Sequence, residues 1–267
     1  MLLSPTSTLE FPEIAPVYYR YARLFTQLSS PGGLLLYTGL DRDGVALTIA
    51  AHVAGAAALC IEPEPLLAKR ALRGGVCDVL VSDLEEALHA LRSPLRREQG
   101  FSVVLVGEVD LMLAEIVARG VLPEMLEVRV AEDEAADLRM QIEQHVETLK
   151  SRGARRFDFE AGVEDDADGL IPVSWSVARE PQSWLPRADA LALAALDERE
   201  PSTELRRQWV EIAPRYLGRA LASQRYLRMS VAEADRFFTA VQREVEAGEI
   251  QVAVSVVRNG EEELVLS

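Results

Sequence analysis

Apolar residues fall along this chain in two rhythms, short unbroken runs and stripes at helical spacing, and over the first half the two alternate. Gly33-Leu34-Leu35-Leu36-Tyr37, Ala58-Leu59-Cys60-Ile61, Asp78-Val79-Leu80-Val81 and residues 101–106 are the unbroken runs, and each predicts a short strand. Between them, residues 45–58 predict an apolar helix and residues 84–91 a helix that Asp83 would cap. Residues 109–119, with Leu111, Leu113, Ile116 and Val117, predict another that Gly120 would stop. Strands without polar alternation are buried on both faces, so the pattern predicts a parallel sheet covered by helices on each side.

Upstream, residues 1–12 read as an extended lead-in. Residues 12–28 then carry the helical stripe Val17, Tyr18, Tyr21, Leu24, Phe25 and Leu28, which Ser29-Ser30-Pro31-Gly32 would end. Downstream the rhythm loosens. Residues 132–152 predict a polar helix, 161–168 an exposed acidic stretch, 171–187 an irregular connection, and 188–195 and 204–212 two further helices. Ser230-Val231-Ala232-Glu233 is a capping box opening a helix with Phe237, Phe238, Val241 and Val245 on its apolar face, and Gly248 would close it. Residues 250–257 and 263–266 flank Asn259-Gly260, a hairpin signal. The expected organisation is a Rossmann-like α/β domain over residues 30–130, with a smaller α+β lobe formed by residues 1–29 and 131–267.

Composition narrows the partners. The net charge of −15 opposes a phosphate backbone, and the basic runs Arg96-Arg97 and 152–156 are short and set among acids, so nucleic acid is excluded. Cys60 and Cys77 show no metal-ligand or disulfide spacing, no basic leader precedes an apolar core, and no apolar run is long enough to span a bilayer. A cytoplasmic protein without membrane contact is expected.

Candidate chemistry centres on the first strand–turn–helix–strand unit. In a dinucleotide fold the helix start holds the pyrophosphate, and an acid after the second strand takes the ribose hydroxyls. Glu62 stands where that acid belongs; the competing reading is an exposed acid opening the polar run Glu62-Pro63-Glu64-Pro65. The turn, Gly39-Leu40-Asp41-Arg42-Asp43-Gly44, is a poor anion cradle, because Asp43 is placed to cap the helix with its own carboxylate. His52, His89 and His145 stand alone on helices, no nucleophile-elbow motif occurs, and paired acids such as Asp165 and Asp166 are too common here to mean acid–base work.

The residues from 33 to 126 resemble urocanase (urocanate hydratase), in its NAD-binding domain. Tyr37-Thr38-Gly39-Leu40 through Ile49-Ala50-Ala51-His52-Val53-Ala54-Gly55 to Ile61-Glu62 carries the first stretch of likeness, and Ser82-Asp83-Leu84-Glu85-Glu86-Ala87-Leu88 the second. Gly107 and the run from Ala114-Glu115-Ile116 through Arg119-Gly120-Val121-Leu122-Pro123-Glu124-Met125 carry the third. Weaker likeness follows at residues 153–159 and 237–250. The resemblance implies a Rossmann-like fold, NAD as cofactor and pairing into a homodimer; of the cofactor-binding positions, Gly44 and Glu62 carry over residue by residue, while Gly39 and Gly107 match flanking positions in the fold.

The departures are as informative. The family's G-G-M-G has become Asp41-Arg42-Asp43-Gly44, and the asparagine after its H-G pair is Glu108. The family's Q-T-S-A-H-D segment falls near residues 129–134 without identity. Its cysteine motif corresponds to Ser176-Val177-Ala178-Arg179-Glu180-Pro181-Gln182-Ser183-Trp184, which has no cysteine. No catalytic residue carries over. The expectation is a shortened urocanase-like protein unable to hydrate urocanate, acting as a non-catalytic nucleotide-binding or protein-interaction module; the alternative is a divergent NAD-dependent hydratase or an enzyme with an altered ligand.

Overall fold

The computed structural model describes residues 9–28, 33–97, 99–130, 135–157 and 169–265. The helix stop at 29–32, the acidic stretch at 161–168, most of the lead-in and part of the segment after Arg129 lie outside these residues. The chain forms two compact units, one of residues 1–12 and 20–161 and the other of residues 13–19 and 162–267.

The first unit is built on β1 (Leu34–Thr38), β2 (Ala57–Glu62), β3 (Val79–Val81), β4 (Phe101–Val106), β5 (Met125–Glu127) and β6 (Arg155–Arg156). All pair in parallel, in the order β3-β4-β2-β1-β5-β6. The helices of this unit are α2 (Arg42–Ala54), α3 (Pro65–Arg73), α4 (Leu84–Arg97), α5 (Val109–Ala118) and α6 (Ala136–Ser151), joined by the later part of α1 (Ile14–Gln27). Leu34, Leu36, Leu59, Ile61, Val103 and Leu105 turn one face of the sheet to Leu84, Leu91, Leu113, Ile116, Ile142 and Leu149 of α4, α5 and α6. Alternate residues such as Leu35, Tyr37 and Cys60 are equally buried on the other face, where Tyr37 shares a hydroxyl hydrogen bond with Thr48 of α2. Burial on both faces is what an unbroken apolar strand requires, so the Rossmann-like α/β expectation holds.

Three local expectations for this unit are corrected. Helix α2 ends at Ala54 rather than 58, because Gly55 takes φ 75° and sends its N–H back to the carbonyl of His52. Its cap is Asp41, whose side chain accepts the Gly44 N–H, and Asp43 sits in the first turn. The polar run after Glu62 opens α3, with Glu64 capping the Leu66 N–H and Pro65 in the first turn. Asp83 caps α4 as expected, accepting from Glu85 and Glu86. The unit also runs past residue 130, since β6 pairs with β5 and α6 packs against α5.

The second unit holds β7 (Ile171–Val177), β8 (Gln224–Met229), β9 (Val254–Arg258) and β10 (Glu261–Val265), antiparallel in the order β10-β9-β7-β8, with α7 (Pro181–Ala195), α8 (Thr203–Ile212), the short α9 (Gly218–Leu221) and α10 (Val231–Glu246). The irregular connection expected at 171–187 is instead β7 and the start of α7. Val173, Trp175 and Val177 are buried and alternate with half-buried Pro172, Ser174 and Ser176. The capping box at Ser230 is present in full, and Asn259 (φ 50°) and Gly260 (φ 83°) turn the final hairpin. Beneath α10 lies a fully buried ion pair, Arg206 with Glu233 at 2.6 Å; the Glu233 carboxylate also accepts the Asp197 and Ser230 amides.

Candidate functional site

In an open parallel sheet, ligands bind outside the carboxyl ends of the strands, where neighbouring connections leave in opposite directions. That point lies here between β1 and β5, because the chain leaves β1 for β2 on one side while β5 returns on the other. Gly39 follows β1, Glu62 ends β2 and Gly107 follows β4, so three adjacent strands bring the expected positions to one edge. Gly44 joins them from the first turn of α2.

Each of these positions is occupied in maintaining the backbone there. Gly39 takes φ 81° and donates its N–H to the Ile61 carbonyl at 2.9 Å, fastening the ends of β1 and β2. Gly44 lies so close to that turn that a Cβ on it would fall 2.0 Å from the Gly39 carbonyl oxygen. Gly107 donates to the Glu62 carbonyl at 3.2 Å and lies against Met112.

Glu62 is neither an exposed acid nor a free one. Its residue is 3% exposed; Oε2 accepts the Leu40 N–H at 2.7 Å and Oε1 the Glu64 N–H at 2.8 Å. Burial pushes the carboxyl up from its ordinary value, and the two amides recover only part of that shift. The side chain thus ties the turn after β1 to the turn after β2.

The start of α2 carries its own carboxylates. Asp41 Oδ1 accepts the Gly44 N–H at 2.8 Å, which satisfies one of the donors a phosphate would use. Arg129, two residues past β5, donates from Nη1 to both oxygens of Asp41 at 2.8 and 2.7 Å. Arg129 is itself fixed to Thr38 at the end of β1. Its N–H donates to Thr38 Oγ1 at 2.7 Å, that hydroxyl donates to the Arg129 carbonyl at 2.9 Å, and Nη2 donates to the Thr38 carbonyl at 3.1 Å. Asp43 pairs with Arg20, a guanidinium 1% exposed, at 2.7 Å. Burial opposes the charge on Arg129, but Asp41, Glu127 and Asp43 outweigh it and hold its pKa above the usual value. For Arg20 burial wins over Asp43 and Glu127, and the pKa falls below the usual one.

Sequence reasoning placed the acids of this loop and missed their partners. Arg129, Arg20 and Thr38 carry no local signal, and only the pairing of β5 with β1 brings Arg129 to Asp41. His52, set aside as a lone helical histidine, donates from Nε2 to the Asp78 carboxylate at 2.8 Å at the opposite end of the sheet. Among the described residues, no group of histidine, cysteine, aspartate and glutamate side chains has the form of a metal site.

Comparison with known proteins agrees with the fold. Residues 17–137 match the model of the urocanase Rossmann-like domain. A curated relative, the S-methyl thiourocanate hydratase of Variovorax sp. (strain JCM 16519 / RA8), is 33% identical over 79 residues, which is 30% of this chain and 14% of that protein. The likeness to urocanases seen in the sequence is therefore borne out over residues 17–137, and the chain spans a small part of the curated relative's length.

Proposed function

We propose that this chain is a urocanase-related module that does not hydrate urocanate and acts without catalysis, through a protein partner or a second copy of itself. The carrying observation is the Asp41 carboxylate on the Gly44 amide. The urocanase Rossmann-like domain is the NAD-binding domain of its family, so NAD is the ligand against which this reading stands.

The residues present do not fit its diphosphate. Asp41 and Asp43 cancel the charges of Arg129 and Arg20, so a diphosphate at this turn would meet no net positive charge beyond the helix N-terminus, which contributes at most about 2 kcal/mol to an anion. It would also have to displace Asp41 from the Gly44 amide. At the ribose position, both Glu62 oxygens are taken by backbone amides. The four sites expected to contact the cofactor have structural work that explains them without it. The free, buried thiols of Cys60 and Cys77 suit a reducing cytoplasm, and among the described residues no helix is long and apolar enough to cross a membrane.

The test is a melting curve of the full chain with NAD, paired with calorimetry and an assay for loss of urocanate. A ligand held only by the native state at about 100 times its Kd stabilises by about 2.7 kcal/mol, which melting detects easily. The expected result is no shift at millimolar NAD and no turnover. A saturable shift, or urocanate consumed in proportion to protein, would overturn the proposal in favour of a divergent NAD-dependent hydratase.

A further inference from the structure

A helix cap needs one side-chain oxygen on one amide. Asp41 does more than that. Its carboxylate lies between the Gly44 N–H on α2 and the guanidinium of Arg129 beyond β5, and so bridges the two sides of the switch-point crevice. Arg129 does not depend on Asp41 for its position, because three hydrogen bonds to Thr38 hold its backbone and its Nη2. Its Nε is buried without a hydrogen-bond partner, with the nearest carboxylate, Glu127, 3.7 Å away. Arg20, almost wholly buried, reaches the neighbouring Asp43 in the same turn.

We propose that Asp41 is the internal occupant of an anion site formed by the Gly44 amide and Arg129, with Asp43 and Arg20 as a second pair beside it. The inference rests on the reading that NAD is not held, and it adds the cause. The crevice is closed to diphosphates because the protein fills it with its own carboxylates, while the cationic groups remain in place behind them. Asp41 is largely exposed, so its removal opens the site at small cost to the domain, whereas Asp43 faces the buried Arg20, and its replacement by asparagine keeps a hydrogen-bond acceptor on that guanidinium.

The experiment uses the full chain carrying Asp41→Gly with Asp43→Asn, titrated with inorganic diphosphate at low salt by calorimetry and melting. Glycine removes the charge and frees the Gly44 amide, and as an N-cap it costs the helix little. The variant is expected to bind diphosphate saturably, at least about tenfold more tightly than the wild type, and to lose that binding when Arg129→Gln is added. Wild type binding diphosphate as tightly as the variant overturns the inference, and so does a folded variant that binds none. Circular dichroism verifies folding, and Asp41→Gly alone serves with the same outcomes if the double variant is unfolded. Wild type that binds NAD defeats the reading beneath this one; wild type and folded variants that ignore both ligands defeat this inference alone.

Discussion

A Cβ built on Gly44 would stand 2.0 Å from the Gly39 carbonyl oxygen and 2.9 Å from its carbon, both backbone atoms that cannot swing aside. On Gly107 the nearest atom, at 2.9 Å, is the Cγ of Met112, a flexible side chain that can yield. The two glycines are equivalent if their task is to let a cofactor approach, and unequal if their task is to let the chain pack. Packing predicts that Gly44→Ala destabilises by about 1–3 kcal/mol or more, through forced backbone movement. Gly107→Ala is expected to cost about 1 kcal/mol or less. Denaturant unfolding of both variants checks this, and equal costs would count against packing as the reason for Gly44.

At the scale of elements, the short edge strand β3 is held by side chains as much as by its ladder. Asp78, just before it, accepts the Ser102 N–H at 2.8 Å and the Ser102 hydroxyl at 3.3 Å, and meets His52 of α2 at 2.8 Å. Burial alone would raise this carboxyl, but the hydrogen bonds from His52 and Ser102 outweigh it and hold the pKa below the ordinary aspartate value. A depressed folded pKa gives stability that is present above the unfolded value, about 3.9, and lost as pH falls through the folded one. Asp78→Asn is therefore expected to cost about 1 kcal/mol near neutral pH, with the gap to wild type closing below about pH 4. Denaturant midpoints across that range check it, and a gap independent of pH would show that the carboxylate charge is not what fastens β3. In the second unit the capping box of α10 has a similar reach. Glu233 closes the box on Ser230 and also neutralises Arg206 of α8, with no water access to either side chain.

For the whole molecule, 43 acidic against 28 basic residues leave a self-repelling charge of −15. The exposed ion pairs contribute about 0–1 kcal/mol each and are screened by the same salt that relieves the repulsion. Net repulsion is expected to dominate, so the melting temperature rises by a few degrees between about 0.02 M and about 0.3 M sodium chloride. A fall would mean that the exposed ion pairs, among them Asp41–Arg129, contribute more than their exposure suggests.

What the sequence determined by itself was whatever depends on neighbours along the chain. The unbroken runs at β1, β2 and β4, the cap at Asp83, the box at Ser230 and the Asn259-Gly260 turn each rest on a few consecutive residues, and each was legible. Local reading failed where composition masked period, as with the Pro, Ser and Trp of β7, and where a strand was as short as β5 or β6. The insertion of β4 between β2 and β3 could not be read either, because strand order is set by which faces bury each other. The candidate site divides in the same way. Glu62 and the acids of the loop stood at their positions in the sequence, but whether an acid is exposed, buried or paired depends on what the fold brings to it. Arg129 reaches Asp41, and the Leu40 amide reaches Glu62, only once the strands lie side by side, so tertiary structure alone decided that this crevice is filled by the protein's own charges.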